Sequence, residues 1–194
     1  MGILSNIAIL LTAASAVTAE AAAPAAPPRI TSISFSGNGC VQDPKFSGSF
    51  TDPTVTFRNF AVANPGNKTV NCQVHLQASG ASPGWQVALK TNVVKGHVVL
   101  TPGTAVTHYT TVYFSQDAGN TCTSTESISN NGDSNINQDI TVVSKADRKV
   151  WSPCTGSEGS TGIMNINFRS ALTGDGKAFF EANTEEWDLE WRRC

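Results

Sequence analysis

No apolar run in this 194-residue chain is long enough to cross a bilayer as a helix, which takes about 20 residues. The longest, Ile7–Val17, stops well short, so no membrane insertion is expected. Basic clusters are missing too. The 13 Lys and Arg are set against 15 Asp and Glu, and no cluster exceeds a pair such as Arg192-Arg193. Nucleic acid and anionic membrane therefore lack the basic patch they would need. No two cysteines stand at the short spacing that zinc ribbons and fingers use. No histidine precedes His75, so a copper site built on an N-terminal histidine has no ligand. Gly156-Ser157-Glu158-Gly159 misses the spacing of a serine-hydrolase elbow by one residue and reads as a polar loop. Cys122 sits in a polar stretch with no histidine beside it, so a Cys/His nucleophile is not assembled locally. No catalytic residue, cofactor or metal-ligand set can be assigned, and the expectation is a protein that is not an enzyme.

What is present points outward from the cell. Ile7–Val17 followed by Val17-Thr18-Ala19 reads as a secretory signal over residues 1–19, although its start carries no Lys or Arg. Residues 20–29 then read as an Ala/Pro-rich exposed linker, because prolines donate no ladder hydrogen bond and alanines bury little. Residues 30–194 are left as one extracellular domain, large enough for a real core. Five cysteines, Cys40, Cys72, Cys122, Cys154 and Cys194, are expected to form bridges in an oxidising compartment, with one left over.

Period-2 alternation dominates the domain. Around Asn64-Pro65-Gly66-Asn67, a type II turn would close a hairpin with Phe57 opposite Val74 and Val55 opposite Leu76. Its apolar face would carry Val55, Phe57, Cys72, Val74 and Leu76. Thr101-Pro102-Gly103-Thr104 repeats the device, setting Tyr109 over Gly96 and His97 opposite His108 as a cross-strand pair. Further strands alternate at Ile33/Phe35, at Met164/Ile166/Phe168 and at Trp187/Leu189/Trp191. Such spacing predicts an all-β, antiparallel two-sheet sandwich, with a closed barrel as the alternative. The Ser/Thr/Asn-rich stretch from Thr121 to Asp139 reads as a long surface loop. Within it, Asp133, Asn135, Asn137 and Asp139 space oxygens as calcium loops do, but the glycine and the closing glutamate are absent.

Five short motifs carry a family resemblance: Gly37-Asn38-Gly39-Cys40, Asn71-Cys72-Gln73, Pro83-Gly84-Trp85-Gln86, Trp151-Ser152-Pro153-Cys154 and Trp191-Arg192-Arg193-Cys194. In this order they resemble the secreted fungal and bacterial family known as domain of unknown function 4360, over nearly all of the domain. The resemblance implies an exported β-rich protein and supplies no catalytic residue. It implies that Cys40, Cys72, Cys154 and Cys194 are the recurrent cysteines and that Cys122 is unpaired. Four cysteines allow three connectivities. Cys40–Cys72 with Cys154–Cys194 is the expected one, since Cys40 follows the first strand and Cys72 faces the core of the next unit.

Functional readings follow from what remains. Asn67-Lys68-Thr69 is a glycosylation acceptor placed at a turn. Trp85 and Trp151 lie beside turns, where an exposed ring could stack on a sugar, whereas alternation puts Trp187 and Trp191 in the core. Glu181, Glu185, Glu186, Asp188 and Glu190 could furnish a glycosidase pair only if two of them faced each other across a cleft. The leading expectation is a secreted, non-enzymatic protein of the cell surface, cell wall or host interface. A carbohydrate-binding module is the first alternative and a glycoside-active enzyme the second. The expected partner is a cell-wall polysaccharide or a host surface, and the expected state is monomeric unless Cys122 links two chains.

Overall fold

A computed structural model describes residues 23–42 and 44–194; the signal segment at 1–19 lies outside them. Ten strands form two antiparallel five-stranded sheets, and the barrel alternative is not realised. The front sheet has the order β1 (Arg29–Ser36), β4 (Thr69–Ser79), β9 (Ile163–Thr173), β6 (Ala105–Phe114), β7 (Cys122–Ser129). The back sheet has the order β2 (Lys45–Ser49), β3 (Asp52–Asn64), β10 (Ala178–Arg193), β5 (Trp85–Leu100), β8 (Ile136–Lys145). A single 3-10 turn, Ser115–Asp117, is the only helical element among the described residues, and no helix there is long and apolar enough to cross a membrane.

Neither expected hairpin exists. β3 lies in the back sheet and β4 in the front, and β5 and β6 are divided in the same way. The turn at Thr101–Thr104 is as expected locally, with Thr104 N–H donating to Thr101 O at 3.2 Å and Gly103 at φ +77°. It closes an arch between layers, however, not a ladder within one. Alternation specifies which side of a strand is apolar, and in a sandwich the two strands of an arch point those sides at each other. Val55, Phe57, Cys72, Val74 and Leu76 are accordingly all buried, although Phe57 and Val74 are not ladder partners. The actual partners arrive late in the chain: β9 inserts between β4 and β6, and β10 between β3 and β5. The arches then lock to one another. Asn64 Nδ2 donates to Gly176 O at 2.7 Å, Thr101 N–H to Lys177 O at 3.1 Å, and Gly103 N–H to Asn130 O at 2.9 Å.

The segment read as a loop from Thr121 to Asp139 instead forms β7 and the start of β8. An edge strand needs only one weakly apolar side, and Cys122, Ser124 and Ile128 supply it. Its outer hydroxyls pair across the ladder, Thr111 with Thr123 at 2.8 Å and Thr107 with Ser127 at 3.0 Å. The Ala/Pro segment also differs from a free linker over its described part. Pro24 and Pro28 are buried, and Ala26 exchanges two hydrogen bonds with Ser82.

Phe57, Phe60 and Phe168 cluster at the centre of the core, with ring centroids 5.0–6.3 Å apart. Gly96 is required there, but by another ring than Tyr109: a Cβ on Gly96 would collide with Glu181 O and come within 2.9 Å of the Phe180 ring. Cys40–Cys72 ties the β1 exit to β4, and Cys154–Cys194 holds the end of β10. Closing loops of 32 and 40 residues, each bridge contributes about 3–4 kcal/mol in the chain-entropy picture. Cys122 is a free thiol, buried to 9% exposure, which gives it little access for a link between chains.

Candidate functional site

The two outer faces of the sandwich differ in chemistry. On the back, charges neutralise one another: Lys90–Asp188 at 2.9 Å, Lys95–Glu186 at 2.7 Å and Lys149–Glu190 at 3.0 Å. His97 lies among them with Nδ1 2.7 Å from Asp139 Oδ1 and Nε2 2.8 Å from Asn137 Oδ1. The Asp139 hydrogen bond, helped by Asn137, holds its pKa above the ordinary histidine value. Two residues of the candidate calcium spacing are thus bound to a histidine. A shallow depression of about 290 Å³ lies beside this group, lined by Lys95, Gly96, Asp139, Ile140, Thr141 and Asn183.

The candidate acids are not arranged as a catalytic pair. Glu186, Asp188 and Glu190 are each tied to a lysine, and Glu181 is exposed. Glu185 is fully buried, facing the core. The cause is a bulge: the register of β10 shifts between Ala182 and Thr184 against both neighbours, so the inward positions move from Phe180 and Ala182 to Glu185 and Trp187.

The expected histidine pair is not formed. His97 is on the outer face of the back sheet, whereas His108 is fully buried on the inner face of the front sheet. His108 Nδ1 lies 2.9 Å from Ser170 Oγ, its ring stacks on Phe168, and Nε2 has no partner. The tryptophans are also covered. Trp85 is 3% exposed with the Arg193 guanidinium 4.2 Å above its ring, and Trp151 is half-buried under Arg192 at 4.1 Å. An arginine head packs better over an indole than it does alone in water, so the rings beside these turns are shielded.

One serine motif escaped the reading of the sequence. Gly80-Ala81-Ser82-Pro83-Gly84 spells Gly-x-Ser-x-Gly, but it joins two strands, β4 and β5, and no helix follows it. Ser82 Oγ accepts from Ala26 N–H, and among the described residues neither a histidine nor an acid bonds to it, so the elbow chemistry is not assembled there.

The front face is different in kind. Its five strands contain one acid, Glu126 on the edge strand β7, at a register position facing His108. The outward positions carry amides, hydroxyls and phenols. One row across the sheet runs Ser36, Gln73, Asn167, Thr111, Thr123, and the next runs Ser34, His75, Asn165, Tyr113. Hydrogen bonds hold these groups in place. Asn165 Nδ2 donates to Ser115 Oγ at 2.9 Å and to Ile163 O at 3.1 Å, which leaves its oxygen to accept from His75 Nδ1 at 2.6 Å. His75 Nε2 is then the acceptor for the Ser36 hydroxyl at 3.0 Å. Gln73 Nε2 donates to the Tyr113 phenol at 2.8 Å, and the Arg169 guanidinium lies 3.9 Å over the Tyr109 ring. None of these residues was assigned a binding role from the sequence, although their shared parity on β4, β6 and β9 was legible there.

Fold and site together define a class: a disulfide-stapled two-sheet β-sandwich that presents one polar, nearly uncharged sheet face. More particularly, the chain belongs to the family described as domain of unknown function (DUF4360), whose model matches residues 26–194. No curated protein matches it. Among solved structures it is similar to a non-crystalline-cellulose-specific carbohydrate-binding module, CBM28, at 10% identity, covering 84% of this chain and 88% of that one, with a TM-score of 0.34. It is also similar to TmCBM61, solved in complex with β-1,4-galactotriose, at 11% identity over 86% of this chain and 91% of that one, with a TM-score of 0.25. At such scores these likenesses carry no functional argument, and the reading of the site rests on its own geometry.

Proposed function

We propose that this protein is an extracellular carbohydrate-binding protein that acts without catalysis, and that the outer face of its front sheet is the binding surface. The carrying observation is the hydrogen-bonded platform of Gln73, His75 and Tyr113, with the buried Asn165 amide anchoring His75 from beneath, continued by Asn167 and Thr111. Sugar hydroxyls are paired donors and acceptors, and amides and phenols match them without charge. Because the platform's own bonds already order its side chains, a ligand loses less rotamer entropy on docking. Rows of polar side chains running across several strands suit an extended chain better than a small molecule, which needs a pocket that buries most of its surface. The two disulfides agree with action outside the cell, at a cell wall or host surface.

A glycan array tests the reading. The secreted protein is expected to bind at least one polysaccharide class, and Tyr113→Phe should weaken that binding by about fivefold, the equivalent of one neutral hydrogen bond. A folded protein that binds no polysaccharide on the array would sink the proposal.

Asn67 is exposed at the arch between β3 and β4, where a glycan displaces no packing. Occupancy is expected when the protein is secreted from a eukaryotic host. A product whose mass is unchanged by glycosidase treatment would refute this.

A further inference from the structure

Arg169 is the one formal cation at the centre of the front platform. It lies on β9 between Asn71 of β4 and Tyr109 of β6. Its guanidinium carbon lies 3.9 Å from the Tyr109 ring centroid, over the ring, and the residue is exposed. Among the described residues it has no ion-pair partner, whereas Lys90 and Lys95 on β5 of the back sheet each have one. The acids of the strands are unevenly placed. Asp139, Glu181, Glu186, Asp188 and Glu190 belong to back-sheet strands, and the one acid of the front strands, Glu126 on the edge strand β7, has the inward parity of His108, so no strand acid shares the outward face of Arg169. The ring contact limits the rotamers of the side chain without using its N–H donors in hydrogen bonds. A guanidinium fork matches a carboxylate through two parallel hydrogen bonds, which a lysine ammonium cannot reproduce. The neighbouring amides and phenols supply partners for the hydroxyls around that carboxylate.

We infer that the front face selects polysaccharides bearing uronic-acid carboxylates, with Arg169 as the residue that reads the carboxylate. This rests on the carbohydrate-binding reading of the same face and narrows it to acidic chains. No covalent step is involved.

Calorimetry with polygalacturonate, its fully methyl-esterified form and a neutral β-glucan tests the inference. The ester keeps the backbone and removes the charge. The wild-type protein is expected to bind the acid form at least about tenfold more tightly than the ester, the worth of one charge-assisted pair. The preference should shrink as salt rises. Arg169→Gln should bind acid and ester equally, and Arg169→Lys should recover only part of the discrimination. Arg169 is exposed, so both variants should keep the wild-type unfolding midpoint, and that measurement accompanies the titrations. Equal wild-type affinity for acid and ester, or binding to the neutral glucan alone, would overturn the inference while leaving carbohydrate binding intact. A preference for the acid that survives in Arg169→Gln would overturn it too, by placing the carboxylate elsewhere. Binding to none of the three polymers would overturn the inference, and the glycan array then decides the broader reading.

Discussion

Glu185→Gln is expected to make the protein more stable than wild type at pH 8, by up to about 3 kcal/mol, and to give no such gain at pH 4. Glu185 is fully buried, and neither carboxyl oxygen has a hydrogen-bond partner. Burial raises its pKa to about 7, while the nearby Trp187 indole and Asn92 amide pull weakly the other way. Neither donor is committed to it: Asn92 Nδ2 instead donates to Thr110 Oγ1 at 2.9 Å. In the unfolded chain the same group titrates near its ordinary value of 4.5. Below that, both states hold the proton and the burial costs nothing through ionisation. Between about 4.5 and 7 the folded state keeps a proton that the unfolded state has released, so stability falls as pH rises. Above 7 both states are ionised and the loss is complete. Glutamine removes the ionisation and keeps the shape. Urea unfolding midpoints from pH 4 to 9 check this, and parallel wild-type and variant profiles would contradict it.

His108 should produce the opposite slope. Burial alone lowers its pKa to about 4, from an ordinary value of 6.5. The ring is enclosed by Phe168, with centroids 5.7 Å apart, and by Phe180 at 4.6 Å, and Ser170 provides its one polar contact. The facing charged group, Glu126 on β7, is exposed. As pH falls from 6.5 to 4 the unfolded state takes up a proton that the folded state refuses, so stability is lost toward acid by about 3 kcal/mol. In wild type the two slopes cancel over much of the range between about 4.5 and 6.5. His108→Gln is expected to lower stability through lost ring packing, and also to unmask the Glu185 slope as a steady decline from pH 4.5 to 7. A variant profile as flat as wild type over that interval would refute the assignment. Combining both substitutions should remove both slopes.

How far the sequence leads can be judged from these same strands. Alternation was enough to assign the two-sheet class and the burial of Val55, Phe57, Trp187 and Trp191. It was silent on partners, because a turn such as Thr101–Thr104 serves a hairpin and an arch equally well. What decides between them is the insertion of β9 and β10, a long-range event with no local signature. That error alone produced the false His97–His108 pair and put Tyr109 over Gly96. Glu185 was legible in part, since it shares parity with Trp187, two residues on. The bulge at Asn183 is what reconciles that parity with Phe180 and Ala182, and nothing in the sequence marks it. The front platform was missed because each of its residues is ordinary by itself. Gln73, Asn167 and Tyr113 become a surface, with Asn165 buried beneath it, only when β4, β9 and β6 lie side by side.

The central claim is that the front sheet's outer face is the binding surface. Backbone amide chemical-shift mapping, with isotope-labelled protein titrated against an oligosaccharide of the class bound on the array, tests it most directly. The account predicts shifts concentrated at Gln73, His75, Tyr109, Tyr113, Asn167 and Arg169, with Thr56, His97 and Thr141 on the back face unmoved. Shifts gathered instead around Lys95, Asp139 and Asn183, or around Trp151, would contradict it.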